Sequence, residues 1–291
     1  MARILTVQTV LFHESDDAVL RAVAALSGAI GIAREHGLDG EVVLAHGDSG
    51  RERLSDEMQA RIIELADEQF EYHYEFFGDN LGTARGQNRL AAAWPATWQL
   101  TTNPDVVFGG TAIQKLFARS VDATVGALEA RQLPVELPKV YDPATGDTSW
   151  GSGACTMVRG DLWRQIGGYD DDHFFLHGDD VDLSWRIRLE GYRVVHVPEA
   201  RAFHDKRIGG SIEPSEIEVF HSAMAAFLMA AKWGEEVDRD RVRDHLAGPR
   251  YSKVREAIGL LQAEERVPVA VPDRATVASF NVDGHFGAQR Y

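Results

Sequence analysis

Between residues 150 and 204 the chain gathers side chains able to run a group transfer. Asp179, Asp180 and Asp182 begin a helical segment that ends near Gly191, just after Phe174-Phe175. A carboxylate held at the mouth of a sheet can take the proton of an attacking hydroxyl. Upstream, Asn103-Pro104-Asp105 closes an apolar strand. Asp105 can hold Mg2+ or Mn2+, hard cations that prefer oxygen and bridge phosphates. It can equally be a turn residue or helix cap, since Asn-Pro-Asp is common turn chemistry. Two separated carboxylate sites, one for a cation and one for a base, point to group transfer from a charged donor.

Each of the other candidates also has an ordinary explanation. Asp179 as an N-cap, with Asp182 three residues on, reads as a capping pair at a helix N-terminus. One helical residue is a rotation of about 100°, so Asp180 is the carboxylate that capping explains least. His204 follows a strand over 193–197 and a short turn. It is a metal ligand only if it lies beside Asp105, and otherwise an ordinary polar residue. Residues 82–88 can offer backbone N–H groups and Arg85 to phosphate oxygens at a helix start, or form a tight packing turn. Gly151, Gly153 and Ala154 permit the close approach of a ligand, or merely make a crowded backbone.

The elements that must position these groups alternate. Residues 4–12 read as a buried strand. Ser15 caps a helix with Val19, Val23, Leu26, Ile30 and Ala33 at helical spacing, stopped by Gly37. Residues 41–45 are a second strand followed by a turn over 46–50, and Ser55 opens a helix through Met58, Ile62 and Leu65. A third strand covers 70–76, a helix starts at Gly82, and a fourth strand covers 98–102. Residues 111–119 read as helix and 123–130 as strand, and 131–150 have no clear periodicity. This order predicts an α/β fold, a mostly parallel sheet with helices on both faces, with ligands beyond the carboxyl ends of the strands. After His204, Ser215 and Glu218 form a capping box ahead of the apolar face of 217–231. A second short helix fits 254–261, so 213–291 is read as a C-terminal helical extension.

Composition narrows the function classes. The 291 residues are 44% hydrophobic and 26% charged, enough for one large domain with an appendage. With 45 acidic against 30 basic residues the formal charge is −15, which argues against nucleic acid as a partner. Cys155 is the only cysteine, so neither an intrachain disulfide nor a cysteine zinc site forms. The N-terminus reads as a strand rather than a signal peptide. The longest later apolar stretch, 223–231, is shorter than the about 20 residues a membrane span needs. The expected location is cytoplasmic, and the apolar face of 217–231 can pack within or between subunits of a homo-oligomer.

These pieces together resemble the inverting glycosyltransferases of family 2, which have the GT-A fold, over residues 4–204. The resemblance is carried by Gly153-Ala154-Cys155 with Val158-Arg159, then Ile166-Gly167-Gly168-Tyr169-Asp170, Phe174-Phe175 and the run from Asp179 to Arg186. It continues through Gly191-Tyr192-Arg193-Val194 and Val197-Pro198, and upstream through Asn80-Leu81-Gly82 to Asn88. Asn103-Pro104-Asp105 stands as a variant of the family's Asp-x-Asp metal motif, as in rhamnosyltransferase-type members.

The resemblance implies a GT-A domain over 1–212, with a donor half of about 1–106 and an acceptor half of about 107–212. It implies a nucleoside diphosphate sugar as donor, Mn2+ or Mg2+ as cofactor, and a hydroxyl acceptor on a glycan, lipid, small molecule or protein. Asp180 would be the general base, Asp105 and His204 the metal ligands, and Asp179 a replacement for the usual Glu. Leu11, Phe12, His13, Asp48, Gly82, Arg85, Asn88 and Asn103 would join Asp105 around the donor. Trp150, Gly153, Ala154 and Asp179 would face the acceptor. Ala45 stands where many relatives carry an Asp, so Asp48 or the backbone near 11–13 is left to recognise the base. A sugar nucleotidyltransferase and a noncatalytic carbohydrate-binding protein are the alternatives. The first lacks an early Gly-rich basic loop here, and the intact acidic set disfavours the second.

Overall fold

The aliphatic run at the N-terminus forms β1 (Arg3–Leu11), buried on both faces as an interior strand of a parallel sheet must be. The chain then alternates through α1 (Asp16–Glu35), β2 (Glu41–Asp48), α2 (Asp56–Ala66), β3 (Glu71–Phe76), α3 (Gly82–Ala93) and β4 (Trp98–Thr102). Ser15 and Ser55 cap α1 and α2 as expected, each hydroxyl accepting an orphan N–H of the first turn. The five α1 residues picked out by spacing all lie buried on its sheet-facing side.

Beyond β4 come β5 (Val106–Phe108), α4 (Ala112–Arg119), β6 (Val125–Leu133), β7 (Cys155–Arg159), α5 (Gly160–Ile166), α6 (Asp179–Leu189) and β8 (Arg193–His204). The computed structural model describes residues 3–134, 140–204, 215–281 and 286. Among these, eight strands form one sheet in the order β3-β2-β1-β4-β7-β6-β8-β5. β3, β2, β1 and β4 run parallel, as do β6 and β8. β7 is antiparallel to both β4 and β6, and β5 is antiparallel to β8. One core lies under α1, α2 and α4, and a second under α3, α5 and α6 on the opposite face. The mostly parallel, two-faced α/β architecture is the one the alternation implied.

Several elements differ from the sequence reading. β5 and β7 were not foreseen, β2 runs on to Asp48 where a turn was expected, and β8 reaches His204 instead of stopping at Val197. His46, Gly47 and Asp48 look like turn residues, yet they lie buried in register against Thr9, Val10 and Leu11. Of the aperiodic stretch 131–150, the first residues belong to β6, and two bridges, Tyr141 to Thr148 and Asp147 to Val195, order its second half. Residues 135–139 of that stretch lie outside the described residues, as does the expected domain boundary at 212/213.

The C-terminal helices α7 (Glu216–Trp233), α8 (Glu236–His245) and α9 (Ser252–Ala263) pack on α6. The capping box of Ser215 and Glu218 is present, and α8 is an addition to what the sequence suggested. Trp233 meets Trp185 edge to face at 5.3 Å, inside a core that also holds Trp150 and Phe174. Charge joins the same elements. Lys232 Nζ lies 2.6 Å from both Asp170 Oδ2 and Asp182 Oδ1, and Trp233 Nε1 donates to Asp182 at 2.8 Å. Among the described residues no helix is long and apolar enough to cross a membrane.

Candidate active site

Strand register brings Asp105 and His204 together from opposite ends of the domain. Pro104 removes a backbone donor and the chain turns directly into β5, whose Val106 pairs with His204 on β8. Asp105 Oδ1 then stands 3.3 Å from His204 Nε2, and the Asn103 amide nitrogen stands 3.3 Å from the same atom. The other ring nitrogen, Nδ1, lies 3.2 Å from Gln132 Oε1 on β6. With Nδ1 donating to that oxygen, Nε2 is the accepting nitrogen of the ring, and the Asn103 amide N–H donates to it. Two adjacent ligands of an octahedral cation at about 2.1 Å are about 3.0 Å apart, close to the spacing seen. The donor set therefore fits a hard divalent cation. Among the described residues no cluster of three or more His, Cys, Asp or Glu could hold a metal. Such a cation would take its remaining ligands from phosphate and water, the usual habit of Mg2+.

Asp180 sits at the start of α6, where Gly178, at φ 77°, turns the chain into the helix. The N-cap is thus Gly178, and Asp179 is the first helical residue with no side-chain cap bond, which corrects the capping-pair reading. Asp182 is not a cap either, because it turns inward to Arg186, Lys232 and Trp233. Asp180 Oδ1 accepts from Val181 N–H at 2.8 Å and Oδ2 from Gly153 N–H at 3.1 Å. Burial pushes the Asp179 carboxyl up to about 8, with Asp180 and Asp182 adding to it, so Asp179 is protonated at neutral pH.

The segment 151–154 ties the two acidic sites to one another. Asn103 N–H donates to Ala154 O at 3.2 Å, and Thr101 Oγ1 donates to Gly153 O at 3.0 Å. Gly153 N–H reaches Asp180, and Ser184 Oγ accepts from Gly151 N–H at 3.1 Å. Behind them, buried Glu129 accepts from Ser152 N–H and holds His196 Nδ1 at 2.8 Å. Asp105, His204 and Asp180 therefore share one rim of the sheet, two backbone links apart.

The remaining candidates divide. Leu11, Phe12 and His13 lead from the end of β1, with Phe12 exposed and its ring 4.4 Å from that of His13. The next residue, Glu14, has its carboxyl raised by burial and by Asp105, so this loop overlooks the same rim. Asp48 is buried, with Oδ1 accepting from Gly50 N–H at 2.7 Å and Oδ2 from Tyr74 Oη at 2.6 Å. Those bonds make it a brace for the β2 turn. Gly82, at φ 70°, must be glycine, since a Cβ would meet Phe175 O at 2.5 Å. The adjoining Thr83 N–H donates to that same carbonyl, so the α3 start is closed by protein rather than open to phosphate. Arg85 turns to Asp171, and Asn88 bonds the Tyr169 backbone through both its amide atoms. These two side chains and the backbone at Gly82 and Thr83 join α3 to the 168–175 segment. Trp150 is 3% exposed in the core beneath α7, so its side chain is packing rather than an acceptor surface, a correction to its expected role.

Sequence reasoning missed Glu14, Gln132 and Glu129. A buried Glu within an apolar strand was the only signal available for the last of these.

Comparison with known proteins agrees with this architecture. No family model matches the chain. An N-acetylglucosaminyl-diphospho-decaprenol L-rhamnosyltransferase of Mycobacterium tuberculosis is 27% identical, over 52% of this chain and 64% of the relative. The chain thus spans just under two thirds of the length of that curated relative. Among solved structures, the mannosyltransferase PcManGT from Pyrobaculum calidifontis, in complex with GDP-Man and Mn2+, superposes with TM-score 0.53 at 14% identity. That match covers 91% of this chain and 82% of the other. GalNAc-T7 with UDP, GalNAc and Mn2+ gives TM-score 0.62 at 14% identity, over 92% of this chain and 56% of that one. The chain thus has a GT-A-type fold, and over half its length it is similar in sequence to a rhamnosyltransferase.

Proposed function

We propose that this protein transfers a hexosyl or deoxyhexosyl group from a nucleoside diphosphate sugar to a hydroxyl acceptor, with inversion at the anomeric carbon. The observation that supports this reading is the link Asp180–Gly153–Ala154–Asn103, which ties the Asp180 carboxylate through two backbone bonds to the strand end next to the Asp105–His204 pair. The relative's name supports rhamnose as the sugar and a lipid-linked N-acetylglucosaminyl acceptor. The donor half is 1–106, the acceptor half 107–212 and the helical extension 213–291, in a cytoplasmic enzyme.

Asp105 and His204 would hold Mn2+ or Mg2+ against the donor diphosphate, where the bound ion acts as a Lewis acid for the leaving group. The loop 11–13 and Asn103 line the donor side. Asp180, fixed by two backbone N–H groups, keeps lone pairs for the acceptor hydroxyl and takes its proton as the oxygen attacks. Attack comes from the face opposite the leaving diphosphate, so the configuration inverts without a covalent enzyme intermediate. Asp179, protonated beside it, adds no second negative charge at the reacting centre.

A screen of nucleotide sugars with Mn2+ or Mg2+, reading donor hydrolysis and then transfer, tests the reading. Asp180→Asn should keep the fold and donor binding and lose about 10²–10⁴-fold in transfer, the usual worth of a general base. Full transfer by that variant would remove Asp180 from its role, and no turnover of any donor would end the reading.

A further inference from the structure

We propose that a cavity between the 79–81 loop, residues 171–176, α7 and α9 binds an uncharged saccharide portion of the acceptor. This rests on the glycosyl-transfer reading above and names the substrate class of its acceptor side. The cavity encloses about 520 Å3, within the roughly 300–1,000 Å3 typical of ligand sites. It lies along the segment that leads through Phe174 and Phe175 to Gly178 and Asp180.

Its chemistry selects the ligand. Phe175 is 40% exposed and stacks on His221 of α7 at 5.0 Å, giving a flat aromatic platform of the kind that packs against the C–H face of a sugar ring. Burial keeps His221 below its ordinary value, so the platform is neutral near pH 7. Around it stand the carboxylates of Asp79, Asp171, Asp172 and Glu264, acceptors suited to sugar hydroxyls. Both lining guanidiniums are already engaged, Arg85 with Asp171 at 3.6 Å and Arg266 with Glu264 at 3.1 Å. Four carboxylates against two paired arginines repel a diphosphate or uronic acid. A plain hydrocarbon chain would take the carboxylates of the lining out of water at a cost. A neutral polyhydroxylated ligand with one apolar face satisfies both halves of the lining.

Saturation-transfer NMR on the full chain tests this with pools of neutral di- and trisaccharides at millimolar concentration. Uronic-acid counterparts and farnesyl phosphate serve as contrasting probes. The expected result is binding of neutral saccharides that falls at least tenfold in His221→Ala and in Leu260→Arg. Leu260 is 60% exposed on α9, so its replacement tests the cavity without threatening the fold. Donor hydrolysis should be unchanged in both variants. Absence of saccharide binding, binding indifferent to both substitutions, or a preference for the anionic probes would overturn the proposal. Saccharide binding with this dependence in a protein that turns over no donor would instead retire the transfer reading and leave the sugar site standing.

Discussion

Replacing Lys232 by Met tests whether charge bolts α7 to the helix that carries Asp180. The Lys232 side chain is 10% exposed, its two partner carboxylates 15% and 0%, so solvent screens these contacts weakly. Breaking a buried ion pair from one side costs about 3–5 kcal/mol, because the partner charge is left behind. The structure places the expected loss at the low end of that range. Asp182 keeps Arg186 Nε at 2.8 Å and Trp233 Nε1 at 2.8 Å, and Asp170 keeps His173 Nδ1 at 2.8 Å. A loss of about 3 kcal/mol, at roughly 2–4 °C per kcal/mol for a chain of this class, lowers Tm by roughly 6–12 °C.

The pH dependence separates this account from simple loss of packing. Burial opposes ionisation of Asp170, but its bonds to His173 and Lys232 hold it well below the usual carboxylate range. A carboxyl depressed on folding stabilises the protein above its unfolded value of about 3.9, and that contribution is lost as pH falls through the folded value. Without Lys232 the folded chain holds the Asp170 carboxyl down less strongly, since only His173 is left to do so. The deficit of Lys232→Met, measured by urea unfolding, should therefore hold steady above about pH 4.5 and shrink as pH falls below the unfolded value of about 3.9. A deficit under about 1 kcal/mol, the worth of an exposed pair, or one that does not shrink below about pH 3.9, would refute the reasoning.

Other expectations are simpler. The Asp179 carboxyl, raised to about 8 by burial and by Asp180, binds a proton that the unfolded chain releases near pH 3.9, so it costs stability as pH climbs between those values. Asp179→Asn should match the wild type near pH 4 and exceed it by a few kcal/mol at pH 8, at about 1.4 kcal/mol per pH unit; parallel stability curves would contradict the assignment. Trp150→Ala should destabilise by about 3–5 kcal/mol, as large buried aromatics do, yet leave the KM for acceptor unchanged below the melting range. A rise in that KM would restore Trp150 to the acceptor surface.

What the sequence disclosed, and what it withheld, follows the range of the forces involved. Caps at Ser15, Ser55 and Ser215 act over three residues, and the α1 stripe repeats over a few turns, so local reading finds them. β5 and β7 are three and five residues long, too short for a periodic signal, and both are antiparallel insertions in a pattern that otherwise reads as parallel. Polar residues mislead in the same way. His46 and Asp48 are strand residues because Tyr72 and Tyr74 on β3 supply their hydroxyls, partners more than twenty residues away. The family resemblance named Asp105, His204 and Asp180 without being able to say how they meet.

The meeting depends on the two strands that were missed. β7 lies antiparallel to β4, with Cys155 opposite Thr102, which brings Ala154 O to Asn103 N–H and seats Gly153 against Asp180. β5 does the same for Asp105 by pairing Val106 with His204. A one-residue slip in β5 would turn its alternate side chains to the other face of the sheet and carry Asp105 away from the ring nitrogen. The chemistry of this rim is therefore set by register rather than by the acidic motifs alone. Residues that fix register, such as buried Val106 and Phe108, should matter to the proposed transfer although neither would touch a substrate.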